Sequence, residues 1–337
     1  MSKLTIFRQQ LNHFDFGVMK MNIDQVHKET KVNKLFIFLD MIQSELKYNI
    51  GYSDYHVFGF AKIRGEKRKD YMTSAHNQRL TRELNDSEYY YLLNDKEKFN
   101  EIFEKYLGRK YIMLDKTDAQ GFKDFCSGLD AIFAKPIGEC GGKGIRKIDL
   151  SDATDYEKLY NELKAENILL IESQLKQHPE MNRLFPHSVN TMRMVTIVNG
   201  DGAQLVYTLL RMGNGNNCMD NISAGGMYTP VNAQGKLFCP AYCDKTGSYY
   251  DSHPVTGTVF ENFEIPFYKE AVEMVKDAAM TLSDHLKYIG WDVCITEDGP
   301  ALIEGNNLPG YDMCQNYRHS GQGALPLFES IVGHKLR

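Results

Sequence analysis

Asp292, Glu304 and Asn306 stand close together in GWDVCITEDGPALIEGNNLPG, residues 290–310, surrounded by strand-forming residues. Residues 291–296 alternate, Glu297-Asp298-Gly299 supplies turn chemistry, and Ala301-Leu302-Ile303 resumes an apolar strand, a pattern that predicts a β-hairpin. A turn centred on Asp298 pairs positions whose numbers sum to 596, so Asp292 falls opposite Glu304. Their Cβ atoms would lie roughly 4.5–5.5 Å apart. Asn306 shares the face of Glu304 because strand side chains alternate. Two mutually repelling carboxylates and an amide form an all-oxygen set suited to a hard cation such as Mg²⁺, or Mn²⁺ in its place. The plainer alternative is that Asp292 faces a basic partner and EGNNLPG is an ordinary polar strand exit.

A second stretch, FAKPIGECGGKGIRKID, carries Lys135 on a β-like segment, then Gly138, Gly141, Gly142, Lys143 and Gly144, then another β-like segment. Glycines let backbone N–H groups approach phosphate oxygens, and lysines neutralise their charge. The spacing is not a Walker A loop, since no Ser or Thr follows Lys143, and no G-x-G-x-x-G opens a helix. A flexible hairpin over a polyphosphate fits the pattern, as does a purely structural glycine hairpin.

These residues need a scaffold. NDKEKFNEIFEKYLGRKYI predicts a helix with Asn94 or Asp95 as N-cap and Lys96 in its first turn. Upstream, Leu35, Phe38, Leu39, Ile42 and Leu46 recur at helical spacing and are read as a core-facing stripe. From residue 130 short strands dominate, with VNGDGAQ as a hairpin turn, SDATDYEKLYNELKAEN as a helix, and a further helix after Pro266 carrying Ala271, Met274, Val275, Ala278 and Leu282 on one face. Hairpins alternating with helices indicate an α+β fold with antiparallel sheets. Trp291 is read as a packing residue.

Composition sets outer limits. The chain has 337 residues, enough for two domains or one large composite one, and 42% hydrophobic residues with 25% charged, an ordinary globular balance. A formal charge of −5 argues against nucleic acid as a partner and against broad anionic-membrane binding, while leaving room for a local basic site. No apolar run reaches membrane-spanning length and no signal-peptide pattern opens the sequence, so the expected compartment is the cytoplasm. Seven scattered cysteines agree and are read as free thiols, Cys239 and Cys243 included.

In order, Lys96, Lys135, the glycine loop with Lys143, the acid in LLIESQL, and the Asp292, Glu304, Asn306 cluster resemble the ATP-grasp superfamily over about residues 95–310. QHPEMNRLFPHSVNTMRMVTIV, DNISAGGMYTPV and YIGWDVCITEDGPALIEGNN resemble, more narrowly, its sugar-transfer-associated, hexapeptide-transferase-like branch. The resemblance implies an ATP-grasp fold, two α+β subdomains clasping ATP, after an N-terminal helical or mixed region. Residues 1–92 would be that region and contribute to the acceptor side. Residues 93–330 would be the ATP-grasp domain, with 93–170 carrying the glycine loop and 171–330 the metal site. Lys96 and Lys135 would touch ATP phosphates, and Gly141, Gly142, Lys143 and Gly144 would form a lid. Glu172, Ser173 and Leu175 would lie in the linker that holds adenine, and Glu180 would be a ribose candidate. Asp292, Glu304 and Asn306 would bind Mg²⁺. Arg193 and Arg211 would form a catalytic fork for a carboxylate or a transferring phosphoryl group, with a surface ion pair as the bland alternative.

The implied activity is ATP-dependent ligation: a carboxylate becomes an acyl phosphate, which an amine or thiol attacks, in surface polysaccharide or glycan biosynthesis. A phosphotransferase using the same ATP site, or a non-catalytic nucleotide-dependent adaptor, are the rivals. In YSDYHVFGFAKIRGEKR, Tyr55, Lys62 and Arg64 are candidates for contact with a sugar or anionic acceptor.

Overall fold

The computed structural model describes residues 16–138, 144–151, 153–200, 202–215 and 225–336. The chain divides into two compact units, Leu80–Pro309 in one and the described parts of Met1–Arg79 and Gly310–Arg337 in the other.

Within Leu80–Pro309 the strands are β1 (Tyr111–Met113), β2 (Ala131–Lys135), β3 (Arg146–Asp149), β4 (Leu170–Ser173), β5 (Thr191–Asn199), β6 (Gly202–Met212), β7 (Met227–Pro230), β8 (Ala241–Cys243), β9 (Ser248–Tyr250), β10 (Tyr288–Thr296) and β11 (Gly299–Asn306). Among the described residues they form a sheet in the order β1-β4-β2-β3 and a larger one in the order β11-β10-β5-β6-β7-β8-β9. Every ladder is antiparallel. The smaller sheet packs Ile132, Ala134 and Ile171 against helices Ala119–Cys126 and Tyr156–Ala165. Asp118 and Asp155 cap these helices, accepting from Gly121 N and Lys158 N. The larger sheet packs on helix Tyr268–Thr281 through Ala271, Met274, Val275 and Ala278, the stripe read from the sequence. Trp291 is fully buried, edge-on to Phe103, and donates its indole N–H to Thr196 Oγ1 at 2.9 Å.

The hairpin β10–β11 pairs Asp292 with Glu304 as expected, but by another route. Next to the turn the register is Thr296 with Gly299 and Val293 with Leu302; it then slips by one, leaving Ile303 as the extra residue of a bulge before Asp292 meets Glu304. A tight two-residue turn plus a bulge thus gives the same opposition as the wider turn centred on Asp298.

The other unit contains helices Phe16–Thr30, Lys34–Tyr48 and Tyr52–Val57. Its interior holds an ion pair: Arg68 Nη1 and Nη2 donate to Asp40 Oδ1 and Oδ2 at 2.9 and 2.6 Å, and Nη1 also to Ser44 Oγ at 3.0 Å. Tyr55 Oη donates to Asp40 Oδ2 at 2.7 Å. This network corrects the reading of helix Lys34–Tyr48. Asp40 and Ser44 turn inward with Ile37 and Met41, so Leu35, Leu39 and Leu46 are 66%, 56% and 70% exposed. A buried guanidinium must be answered by a buried carboxylate, and that requirement outweighs the apolar stripe in setting the helix rotation. Tyr55, 1% exposed, belongs to this interior and is not placed to meet an acceptor, whereas Lys62 and Arg64 are exposed.

Candidate active site

The smaller sheet gathers cations around one carboxylate. Glu172 lies opposite both Phe133 and Tyr111 in the ladders, and period-two alternation brings Lys135 and Arg109 to its face. Glu172, only 3% exposed, pairs with Lys135 Nζ and with Arg109, whose Nε stands 2.7 Å from Oε2 and whose Nη2 donates to Oε1 at 3.0 Å. Asn100 Nδ2 adds a hydrogen bond to Oε1 at 3.1 Å. Burial alone would raise the Glu172 pKa, but the charges of Lys135 and Arg109 outweigh it and hold the carboxyl down at about 2. Burial depresses Lys135, and the neighbouring Arg109 and Lys96 charges add to that. Lys96 opens helix Lys96–Ile102, which Asp95 caps through Glu97 N and Lys98 N. Its Nζ donates to Pro136 O at 2.8 Å, at the start of the glycine loop. Lys96, Lys135 and Arg109 thus bring three cationic side chains close together, a grouping that suits a polyphosphate.

The larger sheet holds the acid pair. Arg193 on β5 is register-paired with Asp292 on β10, its Nε donating to Oδ1 at 2.6 Å and Nη2 to Oδ2 at 3.2 Å. Arg211 Nη2 is 2.7 Å from Oδ2, and Arg211 also donates to Thr191 Oγ1. The two arginines outweigh burial and keep Asp292 well below the usual carboxylate range. Glu304 goes the other way: burial first, then the Asp292 charge and the hydrogen bond the two carboxyls share, push it up to about 7. Asn306 donates to Gly290 O at 3.3 Å.

The donor set fits a divalent cation. Two carboxyls held close enough to share a proton, with one pKa raised by burial and by the other carboxyl, would be relieved by a +2 charge between them, and an Asn306 carbonyl oxygen would complete the expected set. The fit carries one condition: Asp292 is committed to both arginines, so Glu304 and Asn306 are the ligands with most freedom to turn to a metal. Among the described residues no group of three or more His, Cys, Asp and Glu could hold one. Asp292 thus faces basic partners and also lies against a second acid.

Arg109 ties the two sheets together, and sequence reasoning missed it. Its Nη1 donates to Leu302 O at 2.6 Å and its Nη2 to Ile303 O at 3.4 Å, the carbonyls at the bulge beside Glu304. The sequence reading carried a helix through GRKYI; the helix instead ends at Ile102, Gly108 takes φ +59°, and β1 starts at Tyr111. Gly108 was the available stop signal. Glu180 pairs at the surface with Arg183 at 2.6 Å. Ser173 pairs with Lys110, its N donating to Lys110 O and its Oγ accepting from Lys110 N. Leu175 is half-buried beside Gly108. Gly144 has φ +72°, and a Cβ there would come 2.9 Å from Pro136 Cγ. Gly141, Gly142 and Lys143 lie outside the described residues.

Two antiparallel α+β layers, with lysines on one and an acid pair on the other, form an ATP-grasp fold. The chain belongs to the sugar-transfer associated ATP-grasp family, whose model matches residues 75–330. Among curated proteins, none matches it. Similar solved structures include the ATP-grasp ligase PsnB complexed with minimal precursor, at TM-score 0.41 and 14% identity over 75% of this chain and 60% of that one. D-alanyl-alanine synthetase A from Vibrio cholerae aligns at TM-score 0.38 and 11% identity, over 72% and 61%. N5-carboxyaminoimidazole synthase from Aspergillus clavatus, in complex with ADP and 5-aminoimidazole ribonucleotide, aligns at TM-score 0.41 and 11% identity, over 66% and 46%. The chain thus spans less than two thirds of the length of each.

Proposed function

We propose that the protein is an ATP- and Mg²⁺-dependent ligase that activates a carboxylate as an acyl phosphate for attack by an amine or thiol, in the assembly of a surface glycan. The observation that carries this reading is the joining of the cation cluster at Lys135 to the acid pair at Asp292 and Glu304 through one side chain, Arg109. Lys96 and Lys135 bind phosphate oxygens and spread the charge that develops as a carboxylate oxygen attacks the γ-phosphorus and ADP leaves. Glu172 holds Lys135 in place. Arg193 and Arg211 fix Asp292 in its ionised form and add positive field where the phosphoryl group transfers. A Mg²⁺ held by Glu304, Asn306 and Asp292 would neutralise phosphate charge. The amine then attacks the acyl carbon, its C–N bond forming as the C–O bond to phosphate breaks, and its proton passes to solvent. No enzyme nucleophile is needed.

Calorimetry of ATP with Mg²⁺ tests the site, with Glu304→Gln and Lys135→Ala as variants. Binding that needs Mg²⁺ and weakens at least tenfold in each variant is expected. Incubation with pooled carboxylates and amines should release ADP and phosphate together with an amide. A stable phosphoester without free phosphate would show a phosphotransferase, and no ATP binding by the folded protein would overturn the reading.

A further inference from the structure

The exposed stripe of helix Lys34–Tyr48 has no part in this chemistry, yet the protein spends four large apolar side chains on it. Leu35, Phe36, Leu39 and Leu46 are 66%, 47%, 56% and 70% exposed, and Leu35, Leu39 and Leu46 lie along one line of the helix with half-buried Ile42 between the last two. Together they expose on the order of 400 Å² of apolar surface, the size of the largest patch on an ordinary monomer, which is often functional. The rim is basic. Arg64 stacks over the Phe36 ring at 5.2 Å. Tyr48 Oη donates to Gly65 O at 3.4 Å, tying the end of the helix to the turn Gly65–Asp70 that carries exposed Lys67 and Lys69. Lys34 and Lys47 stand exposed at the two ends of the stripe. Asp24 answers Lys34, Glu66 answers Lys69 and exposed Asp70 shares the turn, so the rim sets five cations, Lys34, Lys47, Arg64, Lys67 and Lys69, against these three carboxylates.

We infer that this face docks on an anionic lipid surface, with the leucines and Phe36 entering the headgroup boundary and the lysines and Arg64 resting on lipid phosphates. An apolar face bordered by Lys and Arg is the composition that such a surface selects. A second copy suits it less well. Pairing two stripes would bury roughly 800 Å² of them in total, short of the ~1,200 Å² of a stable interface. Either direction of pairing also brings lysine against lysine at the helix ends. Docking of this kind needs no membrane-spanning helix, and none of the described helices is long and apolar enough to be one. The overall charge of −5 does not oppose it, because the basic excess is local.

Co-sedimentation with vesicles of phosphatidylcholine mixed with phosphatidylglycerol, against vesicles of phosphatidylcholine alone, tests the inference on the full chain. Binding to the anionic vesicles is expected to weaken as salt rises. It should fall at least tenfold in Leu39→Gln/Leu46→Gln and separately in Lys34→Glu/Lys47→Glu, with unchanged circular dichroism, since all four residues are exposed. Absence of vesicle binding by the parent overturns the inference. So does binding that survives both double variants, or a dimer in sedimentation equilibrium that the leucine variant dissociates while lipid binding is lacking.

Discussion

Arg109 grips both carboxylate oxygens of Glu172 and, with the opposite edge of its guanidinium, the Leu302 carbonyl at 2.6 Å. The strand that carries Glu172 and the bulge that precedes Glu304 are thereby held by one planar group. A lysine keeps the charge but offers a single point of donation, so it cannot serve carboxylate and carbonyls at once. Arg109→Lys is expected to lower stability by about 1–3 kcal/mol. It should also weaken Mg²⁺-dependent ATP binding more than it weakens any Mg²⁺-independent binding, because the loosened bulge adjoins Glu304, the proposed metal ligand. Chemical denaturation and calorimetry read the two effects.

Glu172 is the converse case, one buried carboxylate answering several cations. Glu172→Gln leaves Lys135 and Arg109 buried without a counter-charge and should cost about 3–5 kcal/mol at neutral pH. The pH dependence has a fixed sign. The native carboxyl titrates at about 2 against an ordinary value of 4.5, so the native state binds fewer protons between these values. Its stabilisation is present above pH 4.5 and is lost as pH falls toward 2. Denaturation of parent and variant at pH 7, 4.5 and 3 should therefore show a stability gap that narrows on acidification. A gap independent of pH would mean that the contribution of Glu172 is steric.

Gly305 shows how closely β11 is fitted. A Cβ there would stand 2.6 Å from Leu93 Cδ2, 3.3 Å from Phe99 and 3.4 Å from Trp291. The first neighbour is a terminal methyl that can rotate away, whereas the two rings are fixed in the core. Gly305→Ala is expected to cost about 1–3 kcal/mol and to shift β11 outward. Weaker Mg²⁺ binding at nearly unchanged Lys135-dependent ATP binding would locate the shift at Glu304 and Asn306.

The hairpin, its facing acids and the helix after Pro266 were legible because each rests on local pattern: alternation, turn residues and a helical stripe. Arg109 was not, because its role comes from two sheets meeting, and the only local clue was Gly108 ending a helix. Helix Lys34–Tyr48 was read with its faces reversed. Periodicity finds an apolar stripe but cannot show that Asp40 must turn inward to meet Arg68, a partner 28 residues away. The pairing of Glu180 with Arg183, one turn later on the short helix Pro179–Leu184, is likewise one that sequence spacing leaves open.

Asp54 offers a pH test in the other unit. It is half-buried, accepts from Tyr311 Oη at 2.9 Å, and lies within the fields of Asp312 and Glu45. Burial first, then the Asp312 charge, push its pKa up to about 7, against an ordinary 3.8. The native state thus binds a proton that the unfolded chain has already released between these values, so stability falls as pH rises through that window. Asparagine keeps an oxygen to accept from Tyr311 and removes the charge. Asp54→Asn should leave stability near that of the parent below about pH 4 and raise it by about 1–2 kcal/mol at pH 8, a figure discounted from the full linkage because the group is partly solvated. Thermal midpoints measured from pH 4 to pH 8 would show the parent declining more steeply than the variant. Parallel declines would mean that Asp54 is ionised throughout and that the neighbouring acids do not raise its pKa.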